Sequence, residues 1–174
     1  MVGFTPSCIS EIRYYVNFMD WITKQIAIGD SLDAANHAHD VDTILCLIAD
    51  CCEERSDING CCIPLHDGSG NTREHVLAAI DFIAEQIESG LKVLVHCRAG
   101  RSRSVCIVAA YLIRYQGLSK RQAISMISKQ RQIYLSDGID EIFKHLKEKK
   151  PPSLSPSMSA RFRKFLQKPG SRKR

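Results

Sequence analysis

Residues 43–49 (TILCLIA) form an unbroken apolar run of strand length, and residues 93–95 (VLV) form another. A strand with no polar face must be covered on both sides, the condition of a parallel sheet held between helices. The intervening sequence supplies such helices. Over residues 72–89, Val76, Leu77, Ile80, Ile83, Ala84 and Ile87 recur at helical spacing, with Thr72 as N-cap and Gly90 as stop. Further helices are expected at 104–116, closed by Gly117, after Ser119, and over 137–149, and a short one opens at Ser31-Leu32-Asp33. Strands are also expected at 21–28 and 60–65. The pattern predicts an α/β fold, a central mostly parallel sheet of about four to five strands flanked by helices.

The chain's 174 residues suit one domain. The expected organisation is an N-terminal extension over 1–20 packing on the domain, the folded domain itself over 21–150 ended by Pro151-Pro152, and a basic tail over 151–174. The tail holds seven Lys/Arg and no acid, which leaves 17 basic against 19 acidic residues in the body. A near-neutral body without a Lys/Arg stripe excludes a nucleic-acid partner as the reading of the net charge. The first twenty residues lack a basic start followed by an apolar block, and no apolar run approaches the ~20 residues that cross a bilayer, so a cytoplasmic chain is expected. Eight cysteines are present. The doublets Cys51-Cys52 and Cys61-Cys62 lack the spacing that brings two sulfurs to one tetrahedral ion, so thiols buried on or beside strands are expected, not a metal site.

The sequence His96-Cys97-Arg98-Ala99-Gly100-Arg101-Ser102-Arg103-Ser104 carries the chemistry. A strand runs into a loop with one glycine, and a helix begins at its far end. The inward-turned amides of Arg98, Ala99, Gly100, Arg101 and Ser102, with the positive end of the helix, make a cradle for a tetrahedral dianion. Arg103 lies near the helix start, where its planar fork can hold two phosphate oxygens. Cys97 sits at the floor, where amides, helix dipole and guanidinium all favour the thiolate, the nucleophilic form. Ser104 is placed to offer a hydroxyl to the sulfur when it leaves. A lone cysteine would read as a buried structural thiol; here Cys, Gly, Arg and Ser fall in one register.

The C-x5-R segment, preceded by His and followed by Ser, resembles the signature of the cysteine-dependent protein tyrosine phosphatase superfamily. The longer string HCRAGRSRS, with Ala110-Tyr111-Leu112 and the downstream Ser119, Ala123 and Arg131, is similar to its dual-specificity branch over roughly residues 21–148. The resemblance implies Cys97 as nucleophile, Arg103 as phosphate clamp, Ser104 as helper in the second step, and His96 holding the loop and tuning the thiolate. It also implies an aspartate about thirty residues earlier as acid and then base. Asp67, in Ile63-Pro64-Leu65-His66-Asp67-Gly68, fits that place better than Asp57, further from the strand end, or Asp81, within a helix. No metal or other cofactor is needed, because Arg103 and the backbone neutralise the phosphate. Two departures from the family pattern stand out: Val105-Cys106 follows the loop, and after Arg131 the usual bracing proline and asparagine are replaced by Gln132-Ile133-Tyr134-Leu135-Ser136-Asp137. A brace would have to come from Ser136 or Asp137, or be absent.

The expected function is a metal-independent phosphatase acting through a phosphocysteine, with phosphorylated protein (tyrosine, serine or threonine) as substrate. The alternative substrate is a phospholipid or inositol phosphate, because Arg98 and Arg101 match positions that are often basic in superfamily members acting on phosphoinositides or phosphatidylglycerophosphate. Those two side chains could equally face solvent or pair with Asp67 or Glu74. A rhodanese-type sulfurtransferase would need neither the C-x5-R register nor a distant aspartate, and a phosphate-binding module without turnover normally lacks one of the three reactive groups. In the tail, Met158, Phe162, Phe165 and Leu166 follow helical spacing opposite basic residues, so the segment is either a solvated terminus or a helix that meets an anionic membrane or acidic partner.

Overall fold

The computed structural model describes residues 19–36, 38–49 and 60–146. In chain order these form β1 (Asp20–Trp21), β2 (Ile26–Gly29), α1 (Ser31–Asn36), a 3-10 turn (Ala38–Asp40), β3 (Thr43–Cys46), β4 (Gly60–Cys62), α2 (Arg73–Glu88), β5 (Val93–His96), α3 (Arg103–Gln116), α4 (Lys120–Ser128) and a 3-10 helix (Ile139–Leu146). The expectations for residues 1–18, for Cys51-Cys52 and Asp57, and for the tail over 151–174 lie outside the described residues.

The five strands form one sheet in the order β1-β2-β5-β3-β4. All neighbours are parallel except the β1–β2 pair. Every residue of β2, β3 and β5 is buried, as apolar runs without a polar face require. Their side chains still alternate. Ile26, Ile28, Leu45, Val93 and Val95 enter the larger core, whereas Ala27, Ile44 and Leu94 pack with Ala34 of α1 on the other face. Cys46 and Cys61 are buried free thiols; Cys62 is half-buried, and its Sγ lies 3.2 Å from the Ile48 carbonyl.

The helix signals are local, and most hold to within a residue. Thr72 caps α2 by accepting the His75 N–H. Ser119 and Gln122 form a reciprocal capping box at α4, and Gly117 closes α3 in the left-handed conformation. Residues 103–112 of α3 are all buried, which marks it as the central helix of the larger core.

Four expectations are corrected. The single strand over 21–28 is a hairpin, because the Thr23 hydroxyl accepts the Gln25 and Ile26 amides at 3.2 and 3.0 Å and reverses the chain. The strand over 43–49 stops at Cys46. Beyond it Leu47 still donates to the His96 carbonyl, while the Leu47 carbonyl is turned over to Leu65 and to the functional site. The strand over 60–65 likewise ends at Cys62. The helix expected over 137–149 is a 3-10 helix over Ile139–Leu146: its buried residues, Ile139 and Ile142, are three apart and line up when the turn is that tight. Residues 147–149 lie outside the described residues.

These parallel strands deliver Cys97 at the end of β5 and the 66–71 loop beyond β4 to the same, carboxyl-terminal edge of the sheet, where ligands bind in open α/β folds.

Candidate active site

Cys97 follows β5 directly and is 2% exposed. Its Sγ lies 3.4 Å from the Ser104 hydroxyl on the first turn of α3, and Ser104 is itself fully buried. That helix begins at Arg103 with no side-chain cap, so its first amides are not consumed locally. Burial pushes the Cys97 thiol up. The Ser104 hydroxyl and amide, the Arg103 guanidinium and the Gly100 amide outweigh it and hold the thiol below its ordinary value.

The loop keeps this shape because two features fix it. Gly100 has φ 64°, and a Cβ there would come within 2.5 Å of the Gly29 carbonyl, so the close approach of loop and β2 requires glycine. Arg131 then ties the same turn down. Its Nε donates to the Gly100 carbonyl at 2.6 Å, and its Nη1 donates to the Ile28 carbonyl and to Asp20 at 3.2 and 2.9 Å. Its Nη2 lies 3.9 Å from the buried Asp33. One cation thus joins the loop, β2, β1 and α1. The brace that was expected from Ser136 or Asp137 comes from Ser136, whose amide donates to the Ser102 hydroxyl at 3.2 Å.

Arg103 is nearly buried. Its Nη1 donates to the Leu47 and Leu65 carbonyls at 3.4 and 3.3 Å, and its Nη2 is 3.5 Å from Asp67. Its Nε is buried and has no hydrogen-bond partner among the described residues. A fixed guanidinium with an unsatisfied buried donor is poised for an anion. Asp67 is half-exposed and also accepts the Ser136 hydroxyl at 2.8 Å, so its carboxylate sits at the rim beside Arg103.

Cys97, Arg103, Ser104 and Asp67 are therefore brought together. Of the remaining loop residues, Gly100 and Ser102 are buried, whereas Arg98, Ala99 and Arg101 are exposed. Neither Arg98 nor Arg101 is ion-paired among the described residues, so of the two bland readings solvent exposure, not pairing with Asp67 or Glu74, is the one observed. His96 is buried at the end of β5. Sequence reasoning assigned no role to Arg131, whose acidic partners are remote in the chain, nor to the Leu47 and Leu65 carbonyls. It also passed over Leu32 and Tyr134, which are 64% and 74% exposed. Both flank the loop: the Ser31 amide bonds the Arg98 carbonyl, and the Tyr134 amide bonds the Arg101 carbonyl.

Residues 21–164 match the family model described as the dual specificity phosphatase catalytic domain. Dual specificity protein phosphatase 1 of Arabidopsis thaliana is 44% identical over 54 residues, covering 31% of this chain and 27% of that protein. Dual specificity protein phosphatase Mpk3 of Drosophila melanogaster is 40% identical over 80 residues, covering 45% and 20% respectively. The chain thus spans less than a third of the length of these curated relatives. Among solved structures, Tk-PTP in the active form superposes with a TM-score of 0.65 at 25% identity, over 75% of this chain and 97% of that one. PTPMT1 in complex with PI(5)P shares the fold, with a TM-score of 0.58 at 22% identity over 72% and 92%. With most of its length matched from β1 onward, the chain belongs to the dual specificity phosphatase catalytic domain family.

Proposed function

We propose that this protein hydrolyses phosphate monoesters on proteins through a phosphocysteine. The observation that carries the reading is the Cys97 sulfur, with its thiol held below the ordinary value, in one cradle with Ser104 and Arg103. The loop amides and Arg103 grip the three non-bridging oxygens and neutralise their charge. The Cys97 thiolate attacks phosphorus; the P–O bond to the leaving group breaks, and that oxygen takes a proton from Asp67. Asp67, now a carboxylate, takes a proton from water as the water attacks the phosphocysteine. The P–S bond breaks, phosphate is released, and the Ser104 hydroxyl stabilises the departing thiolate. In the test, purified protein hydrolyses an aryl phosphate in the presence of chelator and vanadate blocks it. Cys97→Ser loses turnover and retains substrate binding; turnover that survives the substitution rejects the mechanism.

A second reading, a phospholipid or inositol phosphate as substrate, is favoured by the exposed Arg98 and Arg101, which have no ion-pair partner among the described residues and could meet further phosphates. The neighbour PTPMT1, solved with PI(5)P, is compatible with it. Phosphopeptides, phosphoinositides and phosphatidylglycerophosphate assayed in parallel separate the two. Arg101→Ala that slows only the lipid or polyphosphate reactions moves this reading ahead, and an equal effect on phosphopeptides removes it.

A further inference from the structure

The loop that carries Asp67 leaves β4 and has no regular structure until Thr72 opens α2. Its inner fastening is Asn71, whose side chain accepts the His66 amide at 2.8 Å and donates to the His66 and Gly68 carbonyls at 3.1 and 2.9 Å. This closes residues 66–71 into one compact unit but does not tie that unit to the catalytic cradle.

The outer fastening comes from a segment some seventy residues later. The Glu141 carboxylate accepts the amides of both Gly70 and Asn71, the latter at 3.0 Å. His145, one turn further along the same 3-10 helix, donates from Nε2 to the Asn71 carbonyl at 2.9 Å. Asn71 is thereby held at its N–H and its C=O by two side chains of one element. The same segment packs on the loop at Gly138, which has φ 79° and where a Cβ would lie 3.0 Å from that of Ser69. It also supplies Ser136, which bonds Asp67 itself.

We propose that Glu141, assisted by His145, is a positioning residue for the general acid: a latch that holds the 66–71 unit so that Asp67 stays beside Arg103. The inference rests on the reading of Asp67 as the acid. A carboxylate that accepts two consecutive amides makes charge-assisted bonds stronger than neutral ones, and it grips the loop backbone without using the Asp67 carboxylate. Released from this latch, the loop keeps its internal Asn71 bonds but swings as a unit, and a misplacement of about 1 Å costs up to about a hundredfold in a positioned proton transfer.

The test compares two esters, p-nitrophenyl phosphate, whose leaving group needs little protonation, and phenyl phosphate, whose leaving group needs it. E141A is expected to lower kcat on phenyl phosphate about ten- to a hundredfold and on p-nitrophenyl phosphate about twofold or less. E141Q keeps the accepting Oε1 and recovers most of the loss. In a D67N background, E141A adds no further leaving-group dependence, since the two act through one proton. Equal losses on both esters, or no loss on either, overturn the latch whether or not E141A lowers the Tm. Should D67N itself fail to discriminate between the esters, the reading of Asp67 falls, and the latch with it; a discriminating D67N beside an indifferent E141A removes the latch alone.

Discussion

Cys97 and Cys106 are nine residues apart on one continuous loop and helix, and both are buried, at 2% and 0% exposure. Their thiols nevertheless move in opposite directions. Burial pushes Cys106 up to about 12, and Lys120 offsets little of it. Burial acts on Cys97 too, but there Ser104, Arg103 and the Gly100 amide reverse the outcome. The amide of Cys106 is already spent on the Ser102 carbonyl, as helix interiors demand. Burial by itself thus pushes a thiol up, and what brings Cys97 below its ordinary value is a set of unspent donors around it.

The largest expected effect is on the contrast itself. Cys97→Ser should lower aryl phosphate turnover on the order of 10⁶-fold, the scale on which removal of a nucleophile acts, whereas Cys106→Ser should leave the rate within a fewfold. Comparable losses in the two variants would falsify the distinction between the thiols.

Asp67→Asn sharpens the comparison by separating thiolate formation from proton delivery. Hydrolysis of poor leaving groups should fall roughly 10²–10⁴-fold, while alkylation of Cys97 keeps its wild-type pH dependence. A shifted alkylation profile would mean that Asp67 tunes the sulfur.

Arg131→Met attacks the cradle from behind. It takes the cation from Asp20 and Asp33 and frees the Gly100 turn. With Asp20 partly exposed, the cost should sit near the low end for a broken buried pair, about 3 kcal/mol by chemical denaturation. Cys97 in the folded variant should then react more like an ordinary thiol, and unchanged stability would show that Arg131 is not a strut.

The smallest effect is read in the unmodified protein. Cys97 is depressed, so its contribution to stability is present above the ordinary thiol range and is lost as pH falls through its lowered folded value. Cys106 is raised, so its contribution is complete below the ordinary range and is lost as pH climbs toward about 12. Mass-resolved alkylation with iodoacetamide should accordingly label Cys97 below the ordinary thiol range and leave Cys106 unlabelled until the protein unfolds. Labelling of both at one pH would erase the contrast.

Much of this is legible in the amino-acid order alone. The cap at Thr72, the helix start after Ser119 and the stop at Gly117 are set by interactions over three or four residues, and the buried strands followed from runs without a polar face. The six-residue interval from Cys97 to Arg103 is likewise a local geometry, a strand end, a turn and the start of a helix. The hairpin at Thr23 and the 3-10 form of Ile139–Leu146 were not legible. Each depends on what the segment packs against, and propensity is a weak guide there.

The amino-acid order by itself determined which groups could do chemistry, because the candidate nucleophile, its candidate clamp and the loop amides lie within eight residues of one another and need no distant partner to be recognised. Only the tertiary structure decided which thiol is held below its ordinary value, which arginine is a strut, and how Asp67 is fastened. Those outcomes rest on charges and donors such as Asp20 against Arg131, 111 residues apart, or Glu141 against Asn71. A sheet ordered β1-β2-β5-β3-β4 brings such groups together in a sequence unrelated to their order in the chain, and electrostatic energies depend on separation in space.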